Sequence, residues 1–388
     1  MENTADKSSL HALTITPFYP TADNDANGCF VAEPLSALAA QGVTNSVLAV
    51  EPFYRKRRRG NSSVPPAEFF RYFSLPRATG LASAGAFLFA RILGQVRELH
   101  RRRKIDVIHA HGPLPCGHAA MLLSGELTVP YVITVHGLDA YSTTQVRGLA
   151  GEWCRRVTTH VFRAAGRVIC ISEHVREEVL AGCPIARTSV VYNGTNTELF
   201  SPGTEQAQSH SVLSVGNLIP IKGHAVLLRA LAAVSGTHPD LRLDLVGQGP
   251  EHAALTGLAQ ELGIFERVRF LGRVSRQEVA RLLRGCTLFA LPSRYEGLGC
   301  AYLEAMSAGK VAIGSLGQGI EEVIRHGSNG WLVEPENVEQ LSSALMNLLG
   351  NSMLREYVGR QARQTILNGL SLEHQARELL RVYRERTA

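Results

Sequence analysis

A chain of 388 residues, 45% hydrophobic and 19% charged, has the composition of an ordinary globular protein; this excludes disordered and fibrous classes, and the length favours two domains over one. The formal charge of +6 is unevenly placed: residues 51 to 104 hold 13 Lys and Arg against Glu51, Glu68 and Glu98, so 13 − 3 = +10 sits there and the remainder is mildly acidic. Seven cysteines without a CxxC pair, an N-terminus "MENTADKSSL" lacking the basic-then-apolar layout of a signal, and no apolar run of bilayer length set the expectation of a cytoplasmic chain with reduced, mostly buried thiols.

From the N-terminus, short runs rich in Val and Ile alternate with longer segments of helical period, the pattern of parallel sheets covered by helices. The first set of predicted strands is "HALTIT" (11 to 16), "SVLAV" (46 to 50), "DVIHAH" (106 to 111), "YVITVH" (131 to 136), "RVICIS" (167 to 172) and "SVVYN" (189 to 193). Two basic clusters interrupt it, "RKRRRG" from Arg55 and "RRRK" from Arg101; an anionic partner, nucleic acid or membrane, would suit them, and the plainer reading is a solvated basic face. The segment from 80 to 104 is apolar, then basic, in helical register, so it reads either as core or as a helix resting on an anionic membrane with both clusters. His109 and His111 share one face of a strand, and with His118 they invite a zinc reading. No carboxylate or Cys at ligand spacing completes that set, so lining or packing roles are expected.

The polar stretch "SPGTEQAQSHS" from Ser201 to Ser211 reads as a linker, dividing the chain into domains 1–200 and 201–370. The second set of strands is "SVLSVG" (211 to 216), "LRLDLVG" (241 to 247), "RVRFLG" (267 to 272), "TLFALPS" (287 to 293), "KVAIGS" (310 to 315) and "GWLVEP" (330 to 335). Two Rossmann-like, doubly wound α/β domains would thus face each other across a central cleft, with ligands beyond the carboxyl ends of the strands.

Two loops in the second half suit phosphate. "VGNLIPIKGH" (215 to 224) is a strand end, a turn at Gly216 and Asn217, and Lys222 before a predicted helix. In "RYEGLGCAYLEAMSAGK" (294 to 310), Gly297 and Gly299 let backbone approach a ligand, the helix that follows offers its N-terminus to an anion, and Glu304 falls a turn inside it, within reach of hydroxyls attached to that anion. With Glu296 ahead of the turn, the order carboxylate, bare backbone, carboxylate suits a nucleotide-sugar. "LVGQGPE" resembles only half a dinucleotide fingerprint.

The stretches "VGNLIPIKG", "LVGQGPE", "VRFLGRV", "LPSRYEGLGCAYLEAMSAGK" and "HGSNGWLVEP", in this order, resemble the nucleotide-binding half of the retaining GT-B glycosyltransferases of family 4; Glu296 and Glu304 match that family's E-x7-E pair. "NGCFVAEPLSALAAQG", "DVIHAHGPLPCG", "PYVITVHGLDAYS" and "YNGTNTELF" are similar to its N-terminal half. The resemblance is weakest over residues 51 to 104, where acceptors are recognised.

The resemblance implies roles. Glu304 would hold ribose hydroxyls, Lys222 the pyrophosphate, and Gly297, Leu298, Gly299 and Cys300 the distal phosphate and sugar. Glu296 would bind hydroxyls of the donor sugar, His136 would lie beside that sugar, and Gly28 would approach the phosphates from the first domain. The donor set extends to Gly216 and Asn217, where the family often has Arg, and to Arg273, Val274 and Arg294, with Arg273 and Arg294 as helpers to Lys222. The expected reaction transfers a sugar from a nucleotide donor, UDP-linked first and GDP- or ADP-linked otherwise, to a glycan or polyprenyl-linked acceptor in bacterial polysaccharide synthesis. No metal and no cofactor are expected, although Asp23-Asn24-Asp25 is a D-x-D that binds a metal in other transferases. The last helix, 371–388, would pack back on the first domain. Competing readings are a nucleotide-sugar epimerase of the same fold, an NAD-dependent oxidoreductase, which lacks its fingerprint, and a nucleic-acid-binding module, which leaves the E-x7-E loop unexplained.

Overall fold

The structure, a computed structural model, describes residues 10–22, 24–55, 65–75, 80–140, 146, 148–203 and 210–387. The chain divides into two compact units, Met1–Tyr192 with Glu373–Ala388, and Asn193–Leu372.

The N-terminal unit is built on a seven-stranded parallel sheet of β1 (His11–Thr16), β2 (Thr44–Pro52), β3 (Ala67–Tyr72), β4 (Val107–His111), β5 (Tyr131–Val135), β6 (Arg167–Cys170) and β7 (Thr188–Val190), in the order β3-β2-β1-β4-β5-β6-β7. Helices α1 (Cys29–Ala40), α2 (Leu81–Arg102), α3 (His118–Leu127), α4 (Gly148–Ala164) and α5 (Glu173–Gly182) accompany it. β1, β4 and β5 are buried along their whole length, as strands covered on both faces must be. The chain steps outward from β1 to β3 and then returns to β4, so the strand order reverses between β1 and β4, and loops leaving the carboxyl ends there diverge to leave a crevice.

The C-terminal unit repeats the scheme with β8 (Ser211–Val215), β9 (Arg242–Val246), β10 (Val268–Gly272), β11 (Leu288–Ala290), β12 (Ala312–Ser315) and β13 (Trp331–Val333), all parallel, in the order β10-β9-β8-β11-β12-β13. Its helices are α6 (His224–Val234), α7 (His252–Glu261), α8 (Arg276–Gly285), α9 (Cys300–Ser307), α10 (Val338–Gly350) and α11 (Ser352–Gly369), and the reversal lies between β8 and β11. Leu227, Leu231, Leu243, Leu245, Leu288 and Ile313 anchor its core.

The last helix, α12 (Leu372–Thr387), belongs to the N-terminal unit, where Ala376, Leu379, Leu380, Val382 and Tyr383 pack with Ala12 of β1 and Val31 and Leu35 of α1. The division between units falls ahead of the expected 200/201 boundary. Residues from Asn193 to Phe200 are tied to the C-terminal unit: Thr195 N–H donates to Leu370 O at 2.9 Å, Leu372 N–H to Thr195 O at 3.2 Å, and Arg276 lies over the Phe200 ring at 4.9 Å. The stretch read as a linker lies outside the described residues from 204 to 209.

Candidate active site

In the C-terminal unit three loops leave the carboxyl ends of β8, β9 and β11 and are held against one another by glycine. A Cβ on Gly223 would sit 2.0 Å from Pro292 O, one on Gly247 1.9 Å from Gly216 O, and one on Gly249 2.2 Å from Leu218 O. Backbone bonds then lock the contact: Arg294 N–H donates to Ile221 O at 2.8 Å and Leu218 N–H to Gln248 O at 3.1 Å. The glycines of "LVGQGPE" therefore serve loop packing rather than a dinucleotide turn. Across the seam Lys222 Nζ donates to Glu296 Oε2 at 2.5 Å, a pair that is mostly buried. The loop of Gly297 and Leu298 is fixed from the far side as well, because Glu296 N–H donates to Gln318 Oε1 and Gly319 N–H to Glu296 O, both at 3.0 Å.

Gly299 (φ 82°) opens α9, where a side chain would strike Tyr302, and the first turn of the helix presents its N-terminal dipole at this loop. Cys300 is half-buried and receives Asn193 Nδ2 at 3.6 Å. Glu304, one turn in, is buried, and Arg276 Nη1 donates to its Oε1 at 2.7 Å. Arg276 was not among the expected site residues. It is the first residue of α8, placed there by the Ser275 cap, whose Oγ accepts from Glu278 N–H. The signal that could have found it is indirect: a carboxylate on the otherwise apolar helix "CAYLEAMS" needs a cation if it is buried. Breaking a buried pair leaves an uncompensated charge, so Arg276→Met is expected to lower unfolding stability by about 3 to 5 kcal/mol, and adding Glu304→Gln to recover part of the loss. Urea titration of the two variants checks this.

The other expected donor residues are divided: Gly216 belongs to the seam, where a Cβ on it would lie 3.8 Å from Lys222 Cγ, and the arginines lie apart from it. Gly216 is half-buried in the first loop and Asn217 beside it is exposed. Arg273 is exposed and Val274 half-buried between β10 and α8. Arg294 projects to the surface, 3.5 Å from Glu336, so its side chain is not brought to the Lys222–Glu296 pair.

In the N-terminal unit Gly28 (φ 73°) stands at the start of α1 so close to the turn after β1 that a Cβ would lie 2.3 Å from Phe18 C. That turn is closed by Thr16, whose Oγ1 accepts from Phe18 N–H at 3.0 Å. The rings of Phe18 and Phe30 flank His136, with centroids at 5.9 and 4.7 Å. His136 follows β5; its backbone N–H donates to Asp139 Oδ1 at 2.8 Å and its Nε2 lies 3.0 Å from His111 Nδ1. His111 stacks in turn on His109 at 4.5 Å, and His109 is held by Tyr383 Oη at 2.6 Å and Thr134 Oγ1 at 2.7 Å. Three imidazoles thus form a row that runs from α12 to the end of β5.

Burial keeps this row uncharged. It pulls His109 down to about 3, and His136 to about 3 with His109 adding to the effect, and sets His111 well below its ordinary value. Burial pushes Asp139 up to about 7, against backbone N–H groups that hold it down. His118 is not part of the row; it lies on α3 against Gly85 of α2. Among the described residues no three His, Cys, Asp or Glu side chains are grouped as metal ligands. The D-x-D cannot be placed, since Asp23 is outside the described residues. All seven cysteines are free thiols.

Residues 196–365 match the family of glycosyl transferases group 1, and residues 30–199 match glycosyltransferase family 4. A D-inositol 3-phosphate glycosyltransferase of Nocardioides sp. is 28% identical over 420 residues, covering 98% of this chain and 90% of its own. The glycogen synthase of Mycobacterium tuberculosis is 28% identical over 283 residues, 72% of this chain and 68% of that one. Among solved structures, sucrose-phosphate synthase from Thermosynechococcus elongatus aligns with a TM-score of 0.79 at 22% identity, covering 97% of this chain and 98% of its own. HepE of Anabaena, solved with UDP and glucose, aligns with a TM-score of 0.75 at 20% identity over 97% and 100%. At these identities the structural likeness speaks for the fold alone.

Proposed function

The chain belongs to the group 1 and family 4 glycosyltransferases, with the GT-B fold, and from that premise we propose that it is a retaining enzyme moving a sugar from a nucleotide-sugar to a glycan or polyprenyl-linked acceptor in bacterial polysaccharide synthesis. The observation that carries the donor half is the interlocked cradle of the C-terminal unit, in which Lys222, the backbone from Gly297 to Cys300 and the buried Glu304 succeed one another over one strand reversal. UDP is the first choice of donor nucleotide, supported by the Anabaena neighbour solved with UDP.

In this reading the bond between the anomeric carbon and the phosphate oxygen breaks, and the electron pair leaves with the diphosphate. Lys222 and the α9 N-terminus face the charge that develops there, which is where electrostatic stabilisation acts most strongly. Before the donor binds, Lys222 is engaged by Glu296; an incoming diphosphate competes for the ammonium and frees the carboxylate for sugar hydroxyls. Glu304 holds the ribose, steadied by Arg276. Gly28 and His136 belong to the N-terminal unit, and their part in the reading comes from the family resemblance; burial keeps His136 a neutral imidazole. No metal takes part in the reading, and Arg55–Arg59 with Arg101–Lys104 hold the enzyme to an anionic membrane surface. Of the first cluster only Arg55 is among the described residues.

Calorimetric titration of UDP, GDP, ADP and NAD into wild type, Glu304→Ala and Glu304→Gln tests this. A charge-assisted hydrogen bond contributes about 1.5 to 3 kcal/mol, so one nucleoside diphosphate should bind and weaken roughly tenfold or more in the variants. Binding of NAD alone, or no effect of either change in folded protein, would overturn the reading.

A further inference from the structure

Four aromatic side chains of the N-terminal unit stand about half exposed and together, Phe53 (45%), Tyr54 (44%), Phe73 (49%) and Phe87 (46%), and Leu75 (50%), two residues past Phe73, is exposed as well. They come from three separate elements. Phe53 and Tyr54 follow β2, Phe73 and Leu75 follow β3, and Phe87 lies on α2. Their rings are mutually packed: Phe53 stacks on Phe73 at 5.4 Å and 6°, Phe87 meets Phe73 edge-on at 5.1 Å, and Tyr54 meets Phe53 at 5.8 Å. Single exposed apolar residues are ordinary on a protein surface, whereas a contiguous aromatic patch marks a place that another phase or molecule covers.

The charge around the patch says which. It lies within the segment that carries +10, next to the run that begins at Arg55. Arg71 donates from Nη2 to Arg55 O at 3.0 Å, linking the ends of β3 and β2 at the patch. From Phe87 the outer face of α2 continues through exposed Arg91, Arg97 and Arg101 over a helix about 33 Å long. Arg97 and Arg101 are engaged only by exposed carboxylates, Glu126 and Glu98, contacts weak enough in water to be exchanged for phosphate. No helix among the described residues is long and apolar enough to cross a membrane. Aromatic rings at one end of a basic helical face are the chemistry of a surface that lies on anionic lipid, rings at the acyl boundary and arginines among headgroups.

We propose that Phe53, Tyr54, Phe73, Leu75 and Phe87 insert into the interfacial layer of an anionic bilayer, adding an apolar anchor to the basic contact. This deepens the reading of a membrane-linked acceptor and rests on it: electrostatics alone would bind and release with salt, while a buried aromatic anchor persists. It also gives a reason why the patch follows β2 and β3 at their carboxyl ends, the same end of the sheet from which Gly28 and His136 are presented.

The test is co-sedimentation with vesicles of phosphatidylcholine alone and of phosphatidylcholine mixed with phosphatidylglycerol, at low and high salt. Wild type is compared with Phe53→Ser/Phe73→Ser/Phe87→Ser and with a variant in which Arg55 to Arg59 are changed to Gln. Wild type should bind the phosphatidylglycerol vesicles and keep a fraction bound at high salt. The triple serine variant should lose at least ~10-fold in partitioning and become fully salt-releasable, and the glutamine variant should lose its preference for phosphatidylglycerol. Equal partitioning of wild type and the serine variant overturns the proposal, as does a patch whose loss changes only the oligomeric state, which would assign it to a protein partner. Urea unfolding and UDP titration of the serine variant run alongside: an unchanged unfolding profile shows that the N-terminal unit is intact, and unchanged nucleotide affinity in the C-terminal unit separates failure of the anchor from failure of the transferase reading.

Discussion

Acid weakens the N-terminal unit over a wide window, beginning near pH 6.5 and continuing to about 3. Unfolded chain protonates His109, His111 and His136 near 6.5, whereas in the folded unit His109 and His136 hold out to about 3 and His111 also stays far below its ordinary value. The unfolded state therefore binds more protons through this window, and stability falls as pH falls. Each ring contributes a slope of about 1.4 kcal/mol per pH unit. Asp139 acts in the opposite sense: raised to about 7, it holds a proton in the folded unit between its unfolded value of 3.8 and 7, and so offsets one of the three rings there. His11 and His118, also lowered by burial, add to the acid sensitivity. Urea unfolding at a series of pH values reads the slope directly. His109→Gln and His136→Gln should each make it shallower by about one proton, and Asp139→Asn should make it steeper by about one. Slopes that coincide with wild type in all three variants would mean that the row titrates as free imidazole.

The second large effect is expected from a single methyl group. Gly319 has ordinary backbone angles, so alanine there is not strained by conformation; its Cβ would, however, lie 1.9 Å from Gly297 O and 2.6 Å from Gly297 C. The loop from Glu296 to Gly299 must move by about an ångström to admit it. That loop cannot yield cheaply, because Gln318 and Gly319 grip Glu296 from the same side and Lys222 grips it from the other. A displacement of that size typically costs about 100-fold in rate, and overpacking about 1 to 3 kcal/mol of stability. Gly319→Ala should therefore fold, with lowered stability, yet bind UDP at least ~10-fold more weakly and lose about two orders of magnitude in transfer. Gly257→Ala, in α7 with nothing near its added methyl, is the control and should be slightly stabilising. UDP affinity in Gly319→Ala equal to that of the control would show that the 296–299 loop is not where the nucleotide sits.

The strands were legible where their chemistry was local. All six expected in each half contain a strand of the structure, trimmed or extended by a few residues, because Val- and Ile-rich runs between helical segments leave little else to form. β3 was not foreseen. "AEFFRY" has no Val or Ile, sits inside the most basic stretch, and pairs only with β2 at the sheet edge, so its strand character comes from its neighbour. In the site, the glycine turn ahead of a helix and the lysine before another are the local signs from which an anion position was expected. What the sequence did not show was every pairing over distance: Arg276 with Glu304, 28 positions apart, and Tyr383 with His109, 274 apart, leave no local mark on either partner. The early boundary has the same cause, since Asn193 to Phe200 look like the end of one domain and are claimed by contacts with residues near 370.

The return of α12 to the N-terminal unit carries a consequence for how the protein is made. Synthesis delivers β1 before the whole C-terminal unit and Tyr383 after it. The second unit can close while the chain is still growing. The N-terminal unit waits with the α12-covered part of its apolar core, and the unanswered side of His109, open until α12 leaves the ribosome. The unit begun earlier is thus completed later, and chaperones or a stop codon ahead of α12 would meet it in that open form.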